Sequence, residues 1–209
     1  MLRLLLVRHG ETAWNASGRY QGQMDIDLNA AGRQQAEAMA ERLASVSICA
    51  IYTSDLSRAW ETAIVLAERQ SASATPDSRL QELNFGEWQG LTYREIAEKD
   101  PERLAVWNED RVGRTPPGGE SLGAMAERVR SLIEDVHDTY SDGTVALVSH
   151  GGTIRVILCV LLGHPVERYW HFEVDNTAIA EIEWRELGPV VVRWNDATHL
   201  DDSNRQDVF

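Results

Sequence analysis

Lysine, cysteine and long apolar runs are scarce in this chain of 209 residues. Lys99 is the only lysine, and the other basic residues are arginines. It lies in no GxxxxGK context, which excludes a Walker-type phosphate loop. The two cysteines, Cys49 and Cys159, form no CxxC, which argues against a zinc module. Both sit in apolar surroundings and read as buried free thiols rather than as a disulfide. No apolar run approaches the roughly 20 residues that a membrane span needs. Met1-Leu2-Arg3 leads directly into a strand-like segment, with no small-residue cleavage site of the kind a signal peptide carries, so a cytoplasmic protein is expected. Thirty-three acidic residues against 20 basic ones give a net charge of −13. That excess disfavours nucleic acid and anionic membranes as partners. It leaves room for a small anionic substrate, because a local arginine cluster overrides a distant field.

What is present begins with a continuous apolar segment, Leu4-Leu5-Leu6-Val7, that stops at Arg8-His9-Gly10. A run without alternation reads as a strand buried on both faces, as in a parallel sheet. Far along the chain, Val145-Ala146-Leu147-Val148 stops at Ser149-His150-Gly151-Gly152 in the same manner. Between them, residues 12–28 read as a long loop, and loops of that length are usually functional. Asn29 is placed to cap a helix running to about Ala44, with Ala36, Met39, Ala40 and Leu43 inside. A second strand is expected over 48–53, and Ser54 as the cap of a helix that carries Arg58 in its first turns. A short strand is expected over 73–75 and an extended piece over 79–83.

Over residues 84–119 the composition changes. Gly86, Trp88, Gly90, Trp107, Pro116, Pro117, Gly118 and Gly119 punctuate short helical pieces, with a Thr92-x-x-Glu95 capping box and a helix start at Asp100-Pro101. This stretch is expected to be an insertion over the site, within one domain covering 1–209. A helix over 121–140 shows one apolar stripe of Leu122, Met125, Val129, Leu132, Ile133 and Val136. A third strand over 144–149 and an apolar helix over 153–162, ended by Gly163, follow. Two strands, 179–184 and 190–194, are expected around a Gly188-Pro189 turn, and 196–209 as a polar tail.

Strands alternating with helices imply an α/β domain with a mostly parallel sheet. Sites in such sheets lie beyond the carboxyl ends of the strands. Arg8 and His9, Arg58, Glu82 and His150 would then share one rim. Two arginines and two histidines suit a dianion, since the guanidinium fork matches phosphate. The amides of Gly151 and Gly152, at the start of a helix, would add donors. A histidine in such a pocket can attack phosphorus, giving a phosphohistidine that water hydrolyses, while the cations stabilise the transferring group. The leaving oxygen needs a proton. Glu82 is the candidate acid, and Glu11 the competitor better suited to orienting the nucleophile.

These residues carry a resemblance. Leu6-Val7-Arg8-His9-Gly10-Glu11-Thr12 with Trp14-Asn15 resembles the opening signature of the histidine phosphatase superfamily, in its phosphoglycerate mutase-like branch. Tyr20-Gln21-Gly22 and Asp27-Leu28, the segment from Tyr52 to Ala59 with Thr62-Ala63, Leu80 to Gly90, Gly118-Gly119-Glu120-Ser121, and Val148 to Gly152 are similar to its further motifs, in order and over nearly the whole chain. The resemblance implies a three-layer α/β/α sandwich. It implies His9 as the phosphorylated nucleophile, Arg8, Arg58 and His150 on the phosphoryl group, and Glu82 as proton donor and acceptor. It further implies Asn15, Gln21, Gly22 and Gly151 as substrate-binding residues, with no metal and no cofactor.

The expected activity is hydrolysis of a small phosphorylated metabolite. The alternative is a bisphosphoglycerate-dependent phosphoglycerate mutase. It is disfavoured because Val106-Trp107-Asn108-Glu109-Asp110 lacks the adjacent arginines of such mutases. A second alternative, an inactive binding or regulatory member, is disfavoured because every site residue is present. Both a monomer and a homodimer fit the sequence. His137 reads as exposed on its helix, His164 as a helix-end residue beside Pro165 that suits the dipole, and His171 and His199 show no metal-ligand spacing. Trp60, Trp184 and Trp194 read as packing residues, while Trp88 and Trp107 read equally as packing or as substrate contacts.

Overall fold

The first strand, β1 (Leu2–Arg8), sends alternate side chains to two different cores: Leu2, Leu4 and Leu6 to one, Leu5 and Val7 to the other. That is the period-two geometry of a strand in a sheet covered on both faces. The computed structural model describes residues 1–200. The sheet has six strands in the order β3-β2-β4-β1-β5-β6, with β2 at Ala50–Thr53, β3 at Ala74–Pro76, β4 at Gly143–Ser149, β5 at Ile179–Arg185 and β6 at Gly188–Asp196. β1, β4, β2 and β3 are mutually parallel, whereas β5 and β6 form an antiparallel hairpin against β1. The sheet is therefore mostly parallel, as expected.

The helices are α1 (Ala13–Ala16), α2 (Ala30–Arg42), α3 (Ser57–Gln70), α4 (Tyr93–Lys99), α5 (Pro101–Glu109), α6 (Leu122–Thr139) and α7 (Gly151–Leu162). Met39 and Ala40 of α2 and Ala59, Ala63 and Leu66 of α3 pack with Leu5, Val7, Ala146 and Val148 on one face. The α6 stripe and Ile154, Ile157 and Leu158 of α7 pack with Leu4, Leu6, Val145 and Leu147 on the other. This is the three-layer sandwich. The ends of the helices follow local chemistry. The Asn29 and Ser121 side chains accept from the Gly32 and Ala124 amides, Thr92 and Glu95 close a reciprocal capping box, and Gly163 ends α7 with φ 62°.

Several expectations are corrected. Ser54 does not cap α3, which starts at Ser57 after Leu56; its buried hydroxyl lies 2.8 Å from His150 Nε2 instead. α7 begins at Gly151, two residues early, so His150 itself is the cap residue. A 3-10 turn at Ser78–Leu80 interrupts the piece expected to be extended. Gly188 and Pro189 already belong to β6, at the sheet edge where proline is tolerated. Cys159 is buried but Cys49 is exposed, and no disulfide joins them. Trp60 is exposed on α3. The tail is docked at its start: Asp196 ends β6, and Ala197 and Leu200 are buried with Ala178. Asp201-Asp202 and the residues after them lie outside the described residues.

Candidate active site

The parallel register of β1 and β4 pairs Arg8 with Ser149. The next residue on each strand is therefore a histidine, and the His9 and His150 rings lie 5.1 Å apart, edge to face. Both are buried. His9 Nδ1 lies 2.6 Å from the Gly10 carbonyl. A carbonyl can only accept, so Nδ1 carries the proton and Nε2 keeps a free lone pair. Burial, then the charges of Arg58 and Arg8, hold His9 well below the usual histidine range. His150 is held down in the same way, by burial first and Arg58 next. Both rings are neutral, and the arginines alone supply positive charge.

The backbone behind the nucleophile is held from three sides. His9 N donates to the Ser149 carbonyl at 2.9 Å. Gly10 N donates to Thr62 Oγ1 on α3 at 3.1 Å. Asn176 Nδ2 donates to the His9 carbonyl at 2.9 Å. The adjacent Thr177, buried with φ 55°, donates its amide toward the Arg8 and His9 carbonyls. A β-branched residue in the left-handed region is strained, and here the strain lies directly behind the nucleophile. Gly10 is needed for a close approach of backbone rather than of ligand, since a Cβ there would come within 2.3 Å of the Gly32 carbonyl oxygen.

Arg58 is fully buried, and its two terminal nitrogens donate to the Met24 and Gly22 carbonyls at 2.8 and 2.7 Å. Arg8 donates to the Val174 carbonyl at 2.6 Å. The Nε of each arginine is buried without a hydrogen-bond partner among the described residues. Burial pushes both guanidinium groups down to about 10, which leaves them cationic at neutrality.

Glu82 is placed by contacts to its own segment. Ser149 Oγ donates to the Leu80 carbonyl, Thr153 Oγ1 to the Gln81 carbonyl, and Arg128 of α6 to the Glu82 carbonyl. Its carboxylate accepts from the Gly152 amide at 2.9 Å. The first turn of α7 therefore receives the carboxylate, an anion at a helix N-terminus. Glu11 turns away and accepts from Asn29 Nδ2 at 2.6 Å, which ties the loop to the cap of α2.

These groups line one cavity of about 370 Å³ with Asn15, Gln21, Gly22, Gly151 and Gly152. The side-chain oxygens of Asn15 and Gln21 are both engaged by Thr12, so their NH2 groups remain available to the cavity. Gly22 has φ 54° and supplies the carbonyl that orients Arg58. All nine residues expected from the sequence thus meet in one cavity or, in the case of His150, directly behind it. Trp88 and Trp107 do not line it; they are buried against each other at 5.5 Å. The sequence reading missed Arg155, Arg19 and Tyr169, as well as the apolar wall of Trp14, Tyr20, Phe85 and Met125. Arg155 was accessible to it, since it stands four residues after Gly151 on one helix face. Tyr169 carried no local signal.

Among the described residues, no group of three or more His, Cys, Asp and Glu is placed to hold a metal ion. No helix among them is long and apolar enough to cross a membrane.

The sequence profile of the histidine phosphatase superfamily (branch 1) matches residues 4–197. The chain is 36% identical to phosphoserine phosphatase 1 of Hydrogenobacter thermophilus over 200 residues, covering 96% of this chain and 95% of the relative. It is 40% identical to phosphoglycerate mutase-like protein 4 of Arabidopsis thaliana over 204 residues, covering 96% and 87%. Among solved structures, a mycobacterial glucosyl-3-phosphoglycerate phosphatase in complex with VO3 superimposes with a TM-score of 0.83 at 34% identity, over 92% of this chain and 98% of that one. With its motifs in one cavity and residues 4–197 matched, the chain belongs to branch 1 of the histidine phosphatase superfamily.

Proposed function

We propose that this chain is a phosphomonoesterase that hydrolyses a small phosphorylated metabolite through a phosphohistidine on His9. The observation that carries the proposal is the state of His9. The ring is buried and neutral, its Nδ1 proton is fixed on Gly10, and its Nε2 has no hydrogen-bond partner among the described residues and faces the cavity of Arg8 and Arg58. Nε2 attacks phosphorus, the bond to the ester oxygen breaks, and that oxygen leaves with the proton of Glu82. Water then attacks the phosphohistidine and gives a proton back to Glu82, and inorganic phosphate departs. Arg8, Arg58 and the NH2 groups of Asn15 and Gln21 hold the phosphoryl oxygens, and they are oriented before the substrate arrives. His150, fixed by Ser54, lies against the nucleophile and presents its ring edge.

Residues 84–119 are read as an insertion that covers this site. They touch the 12–28 loop, which supplies Asn15, Gln21 and Gly22, through the Gly90 amide, which donates to the Tyr20 carbonyl. A cytoplasmic location is part of the proposal, supported by an exposed free thiol at Cys49.

The test is phosphate release from a panel of monoesters, beginning with p-nitrophenyl phosphate. His9→Ala is expected to abolish release. Glu82→Gln is expected to slow alkyl phosphates more than p-nitrophenyl phosphate, whose leaving group departs without a proton. Equal losses count against Glu82 as the acid. Release that EDTA abolishes and a divalent ion restores counts against the metal-free route. Accumulation of 2-phosphoglycerate from 3-phosphoglycerate and its bisphosphate, in place of inorganic phosphate, favours a mutase.

A further inference from the structure

The Ser54 hydroxyl is fully buried. Among the described residues, its Oγ accepts from the Leu56 amide at 3.3 Å and lies 2.8 Å from His150 Nε2, with no further hydrogen-bond neighbour. The His150 ring is neutral, so one of its nitrogens carries a hydrogen and the other a lone pair. Nδ1 is buried without a hydrogen-bond partner among the described residues. Two arrangements are open. With the hydrogen on Nε2, the ring donates to Oγ. The hydroxyl's own hydrogen then has no acceptor, and the Nδ1 lone pair has no donor. With the hydrogen on Nδ1, the hydroxyl donates to Nε2, and Nδ1–H alone stays unpaired. A buried polar group left unpaired is costly, so the arrangement with fewer of them prevails. The bond made at Nε2 thus sets the tautomer of the ring.

The two histidines then offer opposite chemistry. His9 is fixed through Nδ1 and keeps a lone pair on Nε2, whereas His150 is fixed through Nε2 and keeps a hydrogen on Nδ1. Their rings lie 5.1 Å apart. Nδ1 is the ring nitrogen nearer the backbone, and the His150 backbone runs directly into Gly151, where an added Cβ would stand 3.5 Å from Arg8 Nε. The unpaired hydrogen therefore lies beside groups that receive phosphoryl oxygens. It can donate to such an oxygen, and a nitrogen that carries it cannot attack phosphorus.

We propose that Ser54 is a positioning residue: its hydroxyl holds His150 in the Nδ1–H tautomer, so that His150 donates a hydrogen bond to the phosphoryl group and leaves the attack to His9. The proposal rests on the phosphatase reading of the same site. Ser54 touches neither the substrate nor the reacting atoms and acts through His150.

The test combines ring-nitrogen NMR of protein carrying isotope-labelled histidine with turnover of p-nitrophenyl phosphate. Correlations between the ring C–H hydrogens and the two nitrogens distinguish the tautomers, and the His150 signals are those that His150→Gln removes. The unaltered chain is expected to show His150 in the Nδ1–H form. Ser54→Ala is expected to move it toward the Nε2–H form, which histidine prefers without a partner. With it, kcat is expected to fall about 10- to 100-fold, with KM changed less than about threefold. Ser54→Thr keeps a hydroxyl and should keep both the tautomer and most of kcat. If Ser54→Ala does not fold, Ser54→Cys supplies the same comparison, because a thiol is a weak donor. An Nε2–H form in the unaltered chain overturns the proposal. So does a Ser54→Ala protein whose His150 tautomer is unchanged, and so does a shifted tautomer with unchanged kcat. No phosphate release by the unaltered chain from any monoester overturns the phosphatase reading instead, while the NMR measurement still reports the tautomer that Ser54 sets.

Discussion

The Gly152 amide donates to Glu82 Oε2 at 2.9 Å, and a Cβ on Gly152 would come within 2.4 Å of Glu82 Oε1. The glycine therefore serves the acid rather than a ligand. It lets the carboxylate settle against the first turn of α7.

Gly152→Ala separates activity from stability. The residue is helical, so alanine costs nothing in backbone conformation and gains up to about 1 kcal/mol of helix propensity. The clash falls on the end of a movable side chain, so Glu82 is displaced and the fold is retained. We expect Tm within a few degrees of the parent, with kcat for alkyl phosphates down about 10- to 100-fold. Unchanged kcat would show that the Glu82 carboxylate is not needed where it stands.

Gly10→Ala should do the reverse. Its Cβ would meet the backbone of Gly32, which cannot swing aside. Overpacking of this kind costs about 1–3 kcal/mol. A cost at the upper end is expected, read as a lower urea midpoint at constant slope. Gly151→Ala is the control: its Cβ would stand 3.5 Å from Arg8 Nε, an ordinary contact, and stability should hardly change.

Stability should fall on mild acidification. His9 and His150 are both held below the usual histidine range, by burial first and by Arg58 next. In the unfolded chain they titrate near about 6.5. Above that pH neither state binds the proton and the contribution is constant. Below it the unfolded chain takes up protons that the folded chain refuses, so each histidine lowers stability by up to about 1.4 kcal/mol per pH unit. Urea unfolding at several pH values from about 7.5 down to about 5.5 reads this slope, and His150→Gln should roughly halve it. A flat profile would show that the histidines are not held neutral.

The two thiols should differ in reactivity. Cys49 is exposed, whereas Cys159 is buried and pushed up to about 11, mainly by burial. A thiol reagent at neutral pH is expected to modify Cys49 rapidly and Cys159 only on unfolding. Two equal fast phases would contradict the burial of Cys159.

Much of this site is legible in the chain because its determinants are local. Leu4 to Val7 is apolar without alternation, which marks a strand covered on both faces, and the charge that ends it marks the rim. Asn29, Thr92 with Glu95, and Ser121 announce helix starts through hydrogen bonds spanning three residues. The order of motifs around His9, Arg58, Glu82 and His150 was sufficient to nominate the site. Where the sequence reading went astray, a distant partner outbid a local one. Ser54 has the chemistry of a cap, but its hydroxyl is taken by His150, 96 residues away. Trp88 and Trp107 stand where a substrate contact was conceivable, yet they are buried against each other in the core that the α6 stripe also lines.

The sequence by itself determined the alternating α/β order, the strand ends, and the residue types able to hold and transfer a phosphoryl group, because propensity, capping and burial pattern act over a few residues. Tertiary structure alone decided which of those groups touch. The pairing of Arg8 with Ser149 sets His9 beside His150, and the start of α7 at Gly151 turns Gly152 to Glu82. Packing of the segment around Tyr169 against α7 brings Arg155 and Tyr169 into the lining of one cavity. These relations depend on strand register and on the packing of elements far apart in sequence, which no local pattern records.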